Sequence, residues 1–387
     1  MKTNEKLWWT ISLMVSAALI VVLIMLWSSM NRYDVRNTAQ LVDAQAVDTY
    51  LKDHWIRTSR AQANSDPLRT LKTGIFIQSI KFFNSTEVNL TGYIWQRYVA
   101  VVHDDIKPKE GEAGFIFPEQ VDSGSNIEPR EAYRHRNGDH EEVIGWYFEA
   151  TLRQPFEYSD YPFDHKTVWV RIWPKDFSRN IILVPDYDAY KATDTPDIFG
   201  IEESIVLGAW EREDTYFDYK PSSYDTNFGI DNYIGQDQFP ELYYNVVIKR
   251  KFENAFVVHL LPLFLVAALL FATLLTVSGQ HDIAEKHGFN TSGMIGVCSA
   301  LFFVVLLAHI QLREQFGGSG VVYIEYFFFL MYAVLVLAAA NTYLFCTDSA
   351  PWLKFLHFQD NLVPKLFYWP LVLGGMVVLT LLVKNGR

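Results

Sequence analysis

Five stretches of the chain are apolar over lengths that suit a bilayer, and the remainder is polar or alternates. The apolar runs are 8–28 (WWTISLMVSAALIVVLIMLWS), 255–277, about 293–312, 321–345 and 362–383. Each matches the roughly 20 residues that a spanning helix requires. The third is interrupted by Ser299 and His309 and ended by Arg313. Between the first and second runs the period changes to two. TGIFIQSIKFF, beginning at Thr73, alternates at Ile75, Ile77 and Ser79; after the polar NSTE, VNLTGYIWQRY alternates at Val88, Leu90, Gly92 and Ile94. Two such runs about a short polar turn predict a β-hairpin. Further strands are predicted at 143–152, 166–172, 180–184, 202–210 and 241–250. Short aromatic-rich strands without helices between them indicate an all-β antiparallel sandwich, here joined to an α-helical transmembrane bundle. Residues 39–60 read as a short helix or linker. The stretches 103–140 and 211–240 read as long polar loops, and loops of that length tend to be functional or disordered.

This pattern divides the chain into an amino-terminal anchor (1–30), a partly helical linker (31–72), a sandwich (73–250) and a helical membrane domain (251–387). Charge sharpens the division. Of 44 acidic and 33 basic residues, the block 31–250 holds 36 and 24. An acidic soluble domain argues against nucleic acid as a partner. Lys2 and Lys6 precede the first run, and the following SSMNRYD is a poor cleavage site. The run therefore reads as an uncleaved signal anchor rather than a cleaved leader, with 31–250 exported. Five spans then place the carboxyl terminus outside, with Lys286, Lys354 and Lys365 inside and Arg313, Lys384 and Arg387 outside. The sequons at Asn84 and Asn89 matter only in a eukaryotic secretory route. Cys298 and Cys346 both fall at apolar runs, so neither a disulfide nor a cysteine-based metal site is expected in the exported block. No HExxH, GxSxG, CxxC or phosphate-binding glycine loop occurs, and no enzyme activity, cofactor or metal is expected.

One segment does not fit an ordinary strand. FEYSDYPFDHKTVWV, at 156–170, is interrupted by Tyr161, Pro162, Phe163 and Asp164. Pro162 cannot donate to a β-ladder, and a turn there is ordinary. Two rings flanking the proline imply either a turn capped by core aromatics or a tip that docks on an apolar surface.

YPFD preceding four apolar runs resembles the signature loop of the pentameric ligand-gated ion channels, the Cys-loop receptor superfamily. Arg250 lies 12 residues before Pro262 in RKFENAFVVHLLP, which is similar to that family's spacing of pre-helix arginine and intramembrane proline. FIFPEQ (115–120) resembles a degraded tryptophan-proline motif. The family's flanking cysteines would fall at Gln154 and Val168, so the bridge is missing, as in prokaryotic members. The run 8–28 is extra to the family's four helices.

The resemblance implies a homopentamer in a bacterial cytoplasmic membrane, with an extracytoplasmic sandwich that binds a small ligand or proton and gates a central pore. Phe117, Glu119, Trp173, Tyr216, Tyr219 and Tyr224 are the candidate ligand-binding residues. The aromatics of 211–240, which include Phe217, Phe228 and Tyr233, either recognise a ligand through their faces or pack back on the sandwich. Coupling is assigned to 84–87, 161–164, 249–251 and 315–321, with Asp164 or Glu87 the partner of Arg250. A pore face anchored on Ser299 reads Ile295, Ser299, Phe302, Leu306, His309, Ile310 and Arg313, unless these residues pack a bundle core. His259 and His309 are candidate proton sensors. The alternative function is a non-conducting membrane-anchored sensor on the same scaffold.

Overall fold

The computed structural model describes residues 2–32, 40–58, 68–138, 140–191, 198–230, 238–280, 290–317, 319–347 and 356–386. Tyr233, Lys286, Lys354, Arg387 and most of the linker segments 33–39 and 59–67 lie outside the described residues. The chain forms two compact units. One comprises Tyr33–Phe156 and His165–Lys249; the other comprises Met1–Arg32, Glu157–Asp164 and Arg250–Arg387.

The first unit contains two five-stranded sheets. One has the order β1 (Gln40–Leu41), β9 (Trp210–Ser222), β10 (Phe239–Arg250), β7 (His165–Pro174), β4 (Phe115–Ile116). The other runs β5 (Ile127–Asn137), β6 (Glu141–Arg153), β3 (Glu87–Val99), β2 (Arg69–Phe82), β8 (Ile181–Pro185). The predicted hairpin is β2–β3, paired from Lys72 with Arg97 to Phe82 with Val88, with a bulge between Ile77 and Ser79. Its alternation is the reason for its burial: Ile75, Ile77, Val88, Leu90 and Ile94 lose essentially all exposure. In its turn, Asn84 Oδ1 accepts from Thr86 N at 2.8 Å. A single hydrophobic cluster draws on both sheets, with Trp146, Phe148, Phe217 and Tyr244 among its largest members.

Five expectations are corrected. The loop 103–140 contains β4 and β5, and 211–240 contains most of β9, whereas 202–209 is not a strand. The strand β5 is an edge strand that exposes most of its charged residues, so it lacks an apolar alternation. The strand β9 buries Asp214, Thr215 and Asp218, which made it read as a loop. Pairing is not wholly antiparallel, because β8 runs parallel to β2. Finally, part of the expected linker is core. A helix, α2 (Ala44–Thr58), is capped by Asp43 Oδ1 on Ala46 N at 2.7 Å, and Leu41, Val47 and Leu51 join the sheet unit's cluster. A further turn, α3, spans Ala100–His103.

The second unit holds five helices long and apolar enough to cross a membrane: α1 (Lys2–Met30), α4 (Phe252–Thr276), α5 (Thr291–Gln315), α6 (Glu325–Thr347) and α7 (Leu362–Asn385). Within α4 the turn Phe256–Leu260 is π-helical, immediately before Pro262. Proline has no N–H for the carbonyl four residues earlier, and a widened turn absorbs that lost bond. The helix α5 starts at Asn290, whose side chain accepts from Gly293 N. The helix α1 packs along α7: Ser12 Oγ donates to Leu366 O at 2.5 Å and Lys384 Nζ to Ser29 Oγ at 2.9 Å.

Candidate functional site

The segment Glu157–Asp164 is flanked by strands of the sheet unit yet groups with the helices. Its Tyr161–Pro162 peptide is cis. Backbone bonds from Tyr161 N to Tyr158 O (2.9 Å) and Phe163 N to Asp160 O (2.8 Å) fold it tightly. Tyr158, Tyr161 and Phe163 are buried. The Tyr161 ring lies 4.5 Å from Phe316 and 5.8 Å from His259, while Phe163 stacks on Phe252 at 5.2 Å and meets Tyr323 at 6.0 Å. Ser159 O accepts from Tyr323 N at 2.7 Å. Burying each ring is worth about 1.5–3 kcal/mol, which a turn tip facing water would not gain. Burial also pushes the Tyr161 hydroxyl up to about 12.

Asp164 fixes the segment. Arg250 Nε reaches Asp164 Oδ1 at 2.6 Å and Nη2 reaches Oδ2 at 2.9 Å, a planar two-point fit with both side chains buried. The guanidinium also lies 4.7 Å above the Tyr161 ring. The other expected partner, Glu87, is taken by Arg153 at 2.7 Å and Asn84 at 2.9 Å, so the Arg250 assignment falls on Asp164. In the sheet unit, Gln154 stands at one position where the resemblance places a cysteine. Its fully buried amide donates to Trp169 O and accepts from Trp169 N at 3.2 Å, closing the base of the loop without a covalent bridge.

Sequence reasoning missed Trp27. Its indole N–H donates to Tyr323 Oη at 2.7 Å, and Tyr323 Oη contacts Thr380 Oγ1 at 2.6 Å. Its ring lies 6.1 Å from Phe163 and 5.7 Å from Phe252. A tryptophan near the end of an anchor reads as an interfacial belt residue, which hid this role.

The candidate ligand-binding residues separate into two groups. Phe117 packs on Phe115 and Phe148 at 5.1 and 5.0 Å in the core. Tyr216 is buried, and Tyr219 is buried with its hydroxyl bonded to Leu183 O at 2.8 Å. These three are structural members of the sheet unit. Glu119, Trp173 and Tyr224 converge instead on Arg171, a charge on the outward-alternating positions of β7. Arg171 donates to Glu119 Oε1, to Glu241 Oε2 at 2.9 Å and to Tyr224 Oη at 3.0 Å. Tyr224 in turn donates to Glu241 Oε1 at 2.7 Å. The guanidinium carbon lies 5.5 Å from the Trp173 ring and 5.9 Å from Tyr243. Phe228 closes on Trp173 at 6.4 Å and Tyr224 at 5.6 Å.

Three buried polar atoms of this cluster have no partner among the described residues: Glu119 Oε2, Arg171 Nε and Trp173 Nε1. Buried polar atoms are nearly always satisfied, so one acceptor and two donors left over together make this cluster the candidate site among the described residues. Burial pushes the Glu119 carboxyl above its ordinary range despite Arg171 beside it. Arg171 and Glu241 were missed because single charges in alternating strands read as a solvated face.

Of the residues expected to share a pore face, Ile295, Ser299, Phe302, Ile310 and Arg313 are exposed and Leu306 and His309 are half-buried. The buried stripe of α5 is Met294, Cys298, Leu301, Val305 and Leu312. Phe302 packs on Tyr332 of α6 at 5.4 Å. His309 bonds Tyr332 Oη at 3.2 Å and Glu325 Oε1 at 3.3 Å, and stacks on Phe328 at 5.1 Å. Arg313 reaches Glu325 at 3.2 Å and the carbonyls of Ser319 and Gly320 at 2.9 Å. These three side chains are engaged within the chain. Ile295 is exposed beside this side of the helix, Leu306 is half-buried, and Ser299 bonds back to Ile295 O at 2.9 Å. The side opposite the buried stripe includes Ser292, Gly296, Phe303, Leu307, Ile310 and Glu314, all exposed, with the exposed Ser299 and Ala300 at its margins. The face expected from Ser299 lies about one residue, or about 100°, around the helix from most of these positions.

No family model matches the chain, and no curated protein is similar to it. The functional reading therefore rests on the geometry and on the resemblance of the quoted motifs.

Proposed function

We propose that the chain is a subunit of a homopentameric ligand-gated ion channel homologue, with a β-sandwich that binds a ligand and a four-helix pore domain to which α1 is added. The observation that carries this reading is the seating of 157–164 among the membrane-length helices, with Asp164 locked to the arginine directly before α4. A turn in that place transmits any strain in β7 or β10 to α4 and α6. The Arg171 cluster is the ligand site, and a ligand acts by binding one of two conformations better than the other.

In a five-fold assembly the exposed face of α5 lines the conduit. Phe303 and Leu307 form apolar rings one turn apart, which gate by dewetting. Glu314 sets an acidic ring at the end of α5 that carries the coupling loop, and this favours cations. The second reading, a non-conducting sensor, draws on the same face: no polar side chain interrupts Phe303, Leu307 and Ile310.

Planar-bilayer recording of purified protein, scanned over pH and small polar ligands, tests conduction, and native mass spectrometry tests the pentamer. Phe303→Ala is expected to raise leak at unchanged unfolding temperature. Phe302→Ala is expected to destabilise by about 1 kcal/mol without leak, because its ring packs on Tyr332 but is only partly covered. Monomers or dimers alone, or the reverse behaviour of the two variants, would remove the channel reading.

A further inference from the structure

The helix α1 follows α7 closely but stands off from α4, leaving an apolar cleft of about 630 Å³ among the three. Leu13, Ile20 and Trp27 line it from α1, Phe264 and Phe271 from α4, and Lys365 from α7. The two serines on its wall are spent: Ser12 Oγ donates to Leu366 O and Ser16 Oγ to Ser12 O. Water needs two to four polar partners to occupy such a space, and this wall offers few. A void of this size left empty would forfeit dispersion contacts along the whole length of three helices. The occupant must therefore be apolar and elongated.

Its length and its polar end narrow the choice. From Trp9 to Trp27 the cleft follows about 27 Å of helix at 1.5 Å per residue. One leaflet of hydrocarbon is about 15 Å deep, so a complete acyl chain fits. Lys365 stands near the start of α7, with two of its three donors used on Val277 O (2.7 Å) and Asp360 O (3.1 Å). The Asp360 carboxylate is itself occupied by Ser278 Oγ (2.6 Å) and Gly279 N (2.7 Å). One ammonium N–H thus remains at the mouth of an apolar slot.

We infer that the cleft is a lipid site that takes one acyl chain of an anionic phospholipid, its phosphate on Lys365 and its chain running along α1 toward Trp27. The site exists because of α1 and does not depend on whether the protein conducts.

The test is lipid retention on full-length protein reconstituted in vesicles of phosphatidylglycerol or phosphatidylcholine, extracted in mild detergent and counted by native mass spectrometry. Wild type is expected to retain phosphatidylglycerol about fivefold better, the equivalent of one lysine–phosphate interaction. Lys365→Gln abolishes that preference while total retention stays. Leu13→Trp fills the slot and lowers retention of both lipids; Ile20→Phe does the same should the larger change unfold the protein, as circular dichroism reports. Equal retention of the two lipids by wild type overturns the headgroup assignment. Unchanged retention by a folded slot-filling variant overturns the site. Loss of both lipids on self-association would show that a second copy covers the cleft, which also overturns it.

Discussion

Arg250, in the helical unit, gives both edges of its fork to one carboxylate, whereas Arg171, in the sheet unit, divides its fork between two. The first pair is buried on both sides, and the pairing uses both Asp164 oxygens. The second cluster is half-buried and ends with three polar atoms unmatched, Glu119 Oε2, Arg171 Nε and Trp173 Nε1. Both arginines lie against aromatic rings, so aromatic company does not distinguish them. What differs is whether buried polar atoms are left without a partner among the described residues: none of the first pair's is, and three of the second cluster's are.

The largest effect expected from this contrast is at Arg250. Arg250→Ala leaves Asp164 buried without its cation and should lower unfolding stability by about 3–5 kcal/mol. The Asp164→Ala, Arg250→Ala double variant should recover about 1–3 kcal/mol relative to the sum, measured by denaturant unfolding in detergent. Strict additivity would mean that the two side chains do not act as a pair. Next comes Arg171→Gln. Its cluster is less deeply buried than the Arg250 pair, and glutamine keeps part of its hydrogen-bonding capacity, so the expected loss is about 1–3 kcal/mol. A loss above that of Arg250→Ala would invert the comparison.

A smaller effect, of opposite sign, is expected at Asp218 on β9. Burial raises its carboxyl above the ordinary value of 3.8, although Lys220 and Asn245 pull it down. Asn245 Nδ2 donates to Asp218 Oδ1 at 2.7 Å, and Asn245 Oδ1 is buried without a partner among the described residues. Asp218→Asn removes the buried charge and supplies the missing donor, for a gain of about 1 kcal/mol at neutral pH. A raised carboxyl contributes stability fully below its unfolded value and loses it as pH rises through the folded one. The advantage of the variant should therefore fade as pH is lowered through the raised folded value and be gone below about 4, and an advantage constant from pH 7 to pH 3 would refute the account.

How far the sequence discloses the molecule depends on whether polarity and position agree. The five membrane-length helices were legible because nothing else produces uncharged runs of that length. The hairpin β2–β3 was legible because Ile75, Ile77, Val88, Leu90 and Ile94 alternate onto its buried face, although the bulge exposes Ser79 and buries Ile80 instead. The seating of Tyr161 and Phe163 could be inferred from two rings about one proline, since water rewards neither. Elsewhere polarity misled. The strand β9 carries acids that are buried, β5 carries charges because it is an edge, and both looked like loops. Tyr219 and Tyr224, five residues apart, have opposite fates that composition does not separate. The face of α5 was illegible for another reason: a helix apolar on every side has no preferred direction until Tyr332 and Glu325 of α6 provide one.

The pairing of α1 with α7 also constrains how the molecule is made. Ser12 bonds a residue 354 positions further along the chain, and Lys384 bonds one 355 positions back. Contacts between the first and last helices form only after everything between them has been synthesised, and such distant contacts are the slowest to be reached. Until then Ser12 and Trp27 must wait in the bilayer without the partners they have in the finished fold. The emerging chain therefore completes the packing around Phe163 last, and a chain truncated before α7 would lack Leu366 and Lys384, two of the residues by which α1 is tied down.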